Sequence, residues 1–259
     1  MSHSSPLPSS RNLRPIENIR DLTYTAIHRS YDYPRYYYQT ERAWINGRPN
    51  MPIQFADEIT TEDQLRGVLG YPVERAANKA VTTIDEHCRA VIERSPFMLI
   101  ASADADGIMD ISPKGDPPGF VQILDEKTLA IPDRKGNRRA DTFTNILANP
   151  KVALYFLIPG VRETLRVMGA ARIVRDLTLR ESMAERGSVP DLVIVVDIVE
   201  AFFHCAKCII RSGLWESDEW ADTLGMPAYA QVLSDHSKVA QPVAKIAAEI
   251  EANNVKNLY

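Results

Sequence analysis

From Thr60 onward the spacing of hydrophobic positions changes more than once along the chain, and each change marks a new kind of element. In "TEDQL", Thr61 and Gln64 have the spacing of a capping box and predict a helix start. Between Val73 and Arg94, residues Ala76, Ala77, Ala80, Val81, Ile84, Cys88, Val91 and Ile92 recur on one helical face. That period predicts a second helix, which Ser95-Pro96 stops. Short apolar runs follow: "FMLIAS", "IMDIS", "FVQIL", "TLAIP", "KVALYFLI", "ETLRVMGAARIV" and "LVIVVDIVEAFF". Turn signals at Asp104–Gly107, Asp125–Lys127 and Pro159-Gly160 separate partners. The pattern predicts a mainly β domain with flanking helices, an antiparallel meander closed into a barrel. A doubly wound sheet would need a helix between most strands, and only Asn137–Ala148 intervenes. Helices return after His204. The last is predicted over Ser237–Asn253, with Val239, Val243, Ile246, Ala247 and Ile250 along one side.

Residues 1–57 read differently. They hold six of the ten tyrosines and six prolines, with neither a helical nor an alternating period. We divide the chain into this Pro/Tyr-rich extension, without its own core, and a domain over residues 58–259. In "YDYPRYYYQTER" the aromatics alternate with Arg35 and Arg42, a composition that can stack on bases. An arm docked on the domain or on a partner is the favoured reading.

Composition narrows the classes. The chain has 259 residues, 45% of them hydrophobic, which is enough for a full-sized core. The formal net charge is −4, so general attraction to nucleic acid or to an anionic membrane is not expected. No apolar run is long enough to span a bilayer, and "MSHSSPLPSSRNLRP" lacks a signal-peptide core. With three cysteines the chain is no disulfide scaffold, and a cytoplasmic location is expected.

Against that acidic background, "IPDRKGNRRADTFTNILANP" concentrates Arg134, Lys135, Arg138 and Arg139 around Gly136. Asn137 is a candidate N-cap for the helix that follows. Arginines at a helix start are unfavourable for an isolated helix, and a bound dianionic phosphate removes the conflict. The residues alone leave two readings open, a phosphate site or a solvated basic loop. P-loop and dinucleotide fingerprints are both lacking. "HCAKC" places Cys205 and Cys208 three residues apart. It lacks the order of a haem attachment motif and the ligand number of a zinc site, and we read it as two packed thiols. His204 reads as a satisfied interface histidine.

The stretch from Ser95 to Ile173 resembles the pyridoxamine 5′-phosphate oxidase-like flavoproteins, the FMN-binding split barrels. The blocks "DISPKGDPPGF", "IPDRKGNRR", "NP" and "TLRVMG" occur in the family's order and spacing, and the resemblance runs from about Thr60 to Tyr259. It implies a split β-barrel and a homodimer with FMN in each of two clefts at the subunit interface. It puts Arg134, Asn137, Arg138 and Arg139 at the FMN phosphate. Ser112 and Lys114 fall beside the flavin ring, and Thr164 stands where related oxidases often carry a glutamine facing it. Strand alternation places Arg166 on the same face as Thr164. Arg211 and Trp215 fall near the cleft, with Trp215 a candidate for the flavin or substrate pocket. Asp110, Asp116 and Asp133 lie in the same blocks, suited to orienting basic groups by hydrogen bonds.

The function expected from the resemblance is an FMN-dependent oxidoreductase that moves a hydride between flavin N5 and a small molecule. Hydride transfer needs orientation more than a protein base, and no catalytic residue is assigned. The small molecule is expected not to be pyridoxamine 5′-phosphate. After Arg211 there is no Arg or Lys until Lys238, while Glu216, Asp218, Glu219 and Asp222 make the segment acidic. The rival readings are a non-catalytic binder of flavin, or of another phosphorylated or tetrapyrrole ligand, and an interaction protein acting through its Tyr-rich arm.

Overall fold

The apolar runs after Pro96 pair as seven antiparallel strands in one sheet, in the order β2-β1-β5-β6-β7-β4-β3. These are β1 (Phe97–Ala103), β2 (Met109–Gly115), β3 (Gln122–Asp125), β4 (Thr128–Pro132), β5 (Lys151–Leu157), β6 (Thr164–Val174) and β7 (Val193–His204). The computed structural model describes residues 55–259. The Tyr-rich run and nearly all of the predicted extension lie outside the described residues.

All seven predicted strands are present, and the fold is the expected antiparallel split barrel with flanking helices. The path differs from a closed meander. Only β5–β6–β7 follow one another side by side, while the β1–β2 and β3–β4 hairpins occupy opposite ends of the sheet. Edge strands β2 and β3 are not paired with each other. Pro113 is tolerated in β2 because that strand is an edge, where a missing N–H costs no ladder bond.

One face of the sheet holds the main core. Met98, Ile100, Leu154, Phe156, Leu165 and Val167 are fully buried there. Ile84, Cys88 and Ile92 join this cluster from the segment of α3 (Glu86–Ile92), and Ile146 from α4 (Asp141–Ala148). Opposite them, α5 (Leu177–Ser182) lies beside a smaller cluster of Ala130, Met183, Val193 and Val195. The four residues Val193–Val196 are therefore buried on both faces, which explains why that run lacks alternation.

The helix predictions need correction at three places. The capping box of α1 (Glu62–Leu69) is formed as expected, Thr61 accepting from the Gln64 N–H and the Gln64 side chain from the Thr61 N–H. The predicted helix over Val73–Arg94 is instead two pieces, α2 (Glu74–Ala77) and α3. Val81 exchanges backbone hydrogen bonds with Ala201 of β7 at 2.9 and 2.8 Å, so it is extended. The Val-Thr-Thr run 81–83 is β-branched and favours that geometry, and Asp85 then restarts the helix by accepting from the Cys88 N–H at 2.8 Å.

Helix α4 begins at Asp141, four residues after the predicted Asn137 cap. Asn137 spends its side-chain oxygen on the Arg139 N–H at 3.0 Å, a local turn. Ala140 occupies the cap position in a left-handed conformation. At the C-terminal end, the helix predicted over Ser237–Asn253 is α8 (Val243–Lys256), which starts six residues later, and Ser237 instead closes a separate preceding helix, α7 (Tyr229–Ser237). Lys238 turns left-handed and Pro242 restarts the helix, because proline disfavours helix at the residue before it. The remaining short helix, α6 (Lys207–Ser212), follows β7 directly.

Candidate functional site

The predicted site residues fall into two groups. In β2, Asp110, Ser112 and Lys114 alternate onto the core side of the sheet, since their partners in β1 are Ser102, Ile100 and Met98. As an edge strand, β2 leaves these polar groups at the rim, under the start of α4. Thr142 donates to Asp110 at 3.3 Å. The Lys114 ammonium lies 4.0 Å from Asp133 and 5.9 Å from the centre of the Phe143 ring. The sheet edge thus brings Lys114 against the basic turn 133–140. Burial raises the Asp133 carboxyl above its ordinary range, with Lys114 pulling the other way.

The turn itself is strained. Arg138 and Ala140 have φ of 60° and 59°, a region that costs non-glycine residues about 1–2 kcal/mol each. Such strain persists where the surroundings over-determine it, and it concentrates at ligand-binding turns. Arg138 is exposed, and Arg139 pairs with Asp141 at 2.7 Å.

Arg134 points to a different set of partners. Its Nε donates to Asp116, whose side chain is 1% exposed, at 2.5 Å. The second oxygen of Asp116 accepts from the Tyr259 hydroxyl at 2.8 Å, and this raises the phenol's pKa above its ordinary value. Lys135 donates to a main-chain oxygen of Tyr259 at 2.7 Å. The guanidinium groups of Arg134 and Arg186 lie 5.8 and 5.1 Å from the Tyr259 ring centre. A cavity of about 330 Å³ opens between Asp116, Arg134, Arg186, Leu258 and Tyr259. Arg134 Nη1 is buried without a hydrogen-bond partner, an orphaned donor on an anion-binding type of residue.

This arrangement makes Tyr259 a latch on the basic turn. Replacing Tyr259 with alanine removes a charge-assisted hydrogen bond and the packing over Arg134. That is worth about 1–2 kcal/mol of local opening free energy, or roughly five- to thirtyfold. We expect ligand-free Tyr259→Ala protein to be cut by trypsin at Lys135, Arg138 and Arg139 faster by that factor. Cutting at the wild-type rate means that the tail does not hold the turn.

The second group lies on the other face of the sheet. Thr164 is 1% exposed and donates to the Tyr155 hydroxyl at 2.7 Å. Arg166 bonds Glu200 at 3.0 Å and stacks 3.9 Å from the Phe202 ring centre, and its Nε is buried without a partner. His204 sits across from Thr164, its ring 5.5 Å from that of Tyr155 and 5.0 Å from that of Phe202. Burial, with Lys79 and Arg166 nearby, lowers its pKa below the ordinary imidazole value. Trp215 joins this end of the sheet by donating to the Val161 carbonyl at 2.8 Å.

Lys114 and Leu165 are aligned across β2-β1-β5-β6, three strand spacings apart. The two groups are therefore separated by roughly 14 Å and by the sheet itself. One chain does not unite them. A larger cavity, about 530 Å³, lies between α3 and the end of β7, lined by Val81, Cys88, Val91, Phe202 and Phe203 with Lys79 at its edge. Asp85 and His87 also line it, but it has no counterpart to the two arginines and the orphaned Arg134 donor of the smaller cavity, so the chemistry of an anion favours the smaller.

Sequence reasoning missed Tyr155, Arg186 and Tyr259. Arg186 and Tyr259 stand in no periodic element and reach the site only through the fold. Tyr155 sits at an ordinary strand position and gains meaning only from its cross-strand neighbour. Of the thiols, Cys88 is buried as expected, but Cys205 and Cys208 are exposed rather than packed. Among the described residues no group of three or more His, Cys, Asp or Glu side chains is placed to hold a metal ion. No described helix is long and apolar enough to cross a membrane.

Residues 84–205 match the model of the family described as pyridoxamine 5′-phosphate oxidase. No curated protein matches the chain. Solved structures similar to it include a putative pyridoxamine 5′-phosphate oxidase from Lactobacillus delbrueckii, 22% identical, with a TM-score of 0.39 over 47% of this chain and 95% of that one. An FMN-binding protein from Syntrophomonas wolfei is 12% identical, with a TM-score of 0.35 over 44% of this chain and 86% of that one. The heme storage protein HutZ from Vibrio cholerae is 15% identical, with a TM-score of 0.35 over 47% of this chain and 94% of that one.

Proposed function

We propose that the chain, whose residues 84–205 match the pyridoxamine 5′-phosphate oxidase family, is an FMN-dependent oxidoreductase of that family acting on a small molecule. The observation that carries this reading is the convergence of Lys114 with the strained, basic turn 133–140 at the sheet edge. The residues fit the cofactor. Arg138 and Arg139, with Asn137 shaping the turn, would hold the phosphate, and the orphaned Arg134 Nη1 offers a further donor. Ser112 and Lys114 would lie along the ring. When bound, FMN supplies hydride exchange at N5, and its reduction leaves negative charge at the N1–C2=O edge. The Lys114 ammonium would stabilise charge at that edge.

A homodimer completes the site in this reading. Thr164 and Arg166 lie on the face opposite Lys114, with Trp215 at the same end of the sheet, so in this reading a second copy supplies them to the cleft. That face presents Phe97, Met109 and Ile111 to solvent, apolar side chains of the kind an interface covers. The cytoplasm, with free thiols, is its proposed compartment.

The direct test is to load the purified protein with FMN, desalt it and record its visible spectrum. One FMN per chain is expected, and a colourless protein that fails to bind FMN in titration overturns the reading. Lys114→Met is expected to leave the fold intact and to make bound flavin harder to reduce. A lost interaction of about 1.4 kcal/mol lowers the midpoint of a two-electron couple by about 30 mV. An unchanged midpoint removes Lys114 from the flavin edge.

The substrate is proposed to lack a terminal phosphate. Glu216, Asp218, Glu219 and Asp222 are exposed in the segment after α6, and Glu216 is paired with Arg162 at 3.1 Å. A second dianion would meet like charge there, which costs several kcal/mol where water is excluded. FMN-loaded protein given pyridoxamine 5′-phosphate and oxygen is expected to form no aldehyde or peroxide above background. Turnover with a micromolar KM restores the family's literal activity.

A further inference from the structure

We propose that Cys205 and Cys208 form a reversible dithiol/disulfide site that reacts with low-molecular-weight disulfides. Both thiols are free and exposed, whereas Cys88 is 1% exposed. A soluble surface ordinarily avoids unpaired exposed cysteines. Here two occur with only Ala206 and Lys207 between them.

The backbone sets the distance between them. Ala206 has φ −64° and ψ −13°, and Lys207 opens α6, so both intervening residues are helical. Two helical residues place the flanking Cα atoms about 5–6 Å apart, inside the roughly 4.4–6.8 Å window of a disulfide. Positions three apart on a helical turn also share a face. The turn is held at both ends. On one side β7 stays paired through His204, opposite Thr164. On the other, the Ile210 N–H donates to the Ala206 carbonyl at 3.0 Å. The second thiol is therefore presented to the first at high effective concentration, which favours ring closure over attack by an external thiol.

The reaction balances with a small disulfide as oxidant. One cysteine, as thiolate, attacks a sulfur of the reagent, the reagent's S–S bond breaks and one small thiol leaves. The other cysteine loses its proton and attacks the mixed disulfide. A Cys205–Cys208 S–S bond forms and the second small thiol leaves. Two electrons and two protons pass from the pair to the reagent. Cys88 takes no part, because it is buried and desolvation pushes its thiol up to about 12. The site does not depend on flavin binding.

The test uses the full chain, reduced and then freed of reductant. An aromatic disulfide reagent is expected to titrate two thiols in the folded protein and three after denaturation. With glutathione disulfide, both native thiols should disappear and the mass should fall by two hydrogens, with no glutathione attached. The chain should run uncrosslinked on a non-reducing gel, and dithiothreitol should restore both thiols. Cys205→Ser and Cys208→Ser proteins, still folded by circular dichroism, should each instead retain one glutathione. A wild-type protein that stops at glutathione adducts, links two chains, or titrates fewer than two native thiols overturns the proposal.

Discussion

Replacing Arg138 and Arg139 together with alanine is expected to weaken FMN binding by about a hundredfold or more while leaving riboflavin binding nearly unchanged. The two ligands differ only in the phosphate. Each charged hydrogen bond to it is worth roughly 1.5–3 kcal/mol, and about 1.4 kcal/mol is a factor of ten in affinity. The lower end of that range applies, because Arg138 is exposed and Arg139 already shares its charge with Asp141. Two bonds at about 1.5 kcal/mol each give roughly 3 kcal/mol. The fold should survive, since both side chains lie on the surface of a turn rather than in the core. Fluorescence titrations of FMN and riboflavin into wild type and double variant make the comparison, with thermal melts of the ligand-free proteins as control. Equal losses for the two ligands would falsify the phosphate role of the turn.

The strands were legible because each is a short apolar run bounded by Gly, Pro or Asp turns, and that signal is local. The order in which they pair was not legible. The connections from β2 to β3 and through α4 to β5 carry no pattern that says which edge the chain will reach. Helix errors arose wherever a tertiary contact overrode a sound local period. Ala76 to Ile92 does share a helical face, but Val81 gains two ladder bonds by leaving it. Asn137 is a good cap by composition, yet Arg138 and Ala140 turn left-handed and move the helix start to Asp141. The site shows the same division. The basic turn and Lys114 could be picked out from residue types and a resemblance. That Arg134 would be held by Asp116 and Tyr259 could not, because Tyr259 lies more than a hundred positions away in an unpatterned tail. Nor does a one-dimensional pattern reveal that Lys114 and Arg166 take opposite faces of one sheet; that follows only from the register.

Gly169→Ala is expected to destabilise the domain by about 3 kcal/mol, close to the most that adding one methyl group to a packed region usually costs. The reason lies in a bulge. Along β6 and β7 the pairing runs regularly from Thr164–His204 to Met168–Glu200, then shifts by one residue to Gly169–Ile198. Val199 is the extra residue, and it points to solvent. The shift lets Ile198 and Ala201, three apart, both face the core, which strict alternation forbids. It also sets Arg166 opposite Phe202 and Thr164 opposite His204, the pairs that build the second half of the site. The bulge draws the two backbones together at Gly169. A Cβ there would lie 2.3 Å from the Asp197 carbonyl oxygen and 2.8 Å from Val196 Cγ1. The first of these is backbone in the middle of a sheet and has nowhere to go. The strands must part or the register must slip, and either change loosens Arg166 and His204 as well as the core. Urea unfolding should show a lower midpoint with an unchanged slope, and thermal unfolding a fall of roughly 6–12 °C for a domain of this size. If the alanine protein unfolds within about 0.5 kcal/mol of wild type, the size of a neutral surface change, the close approach at Asp197 is not a feature of the folded chain, and the facing of Arg166 and His204 that depends on it falls too.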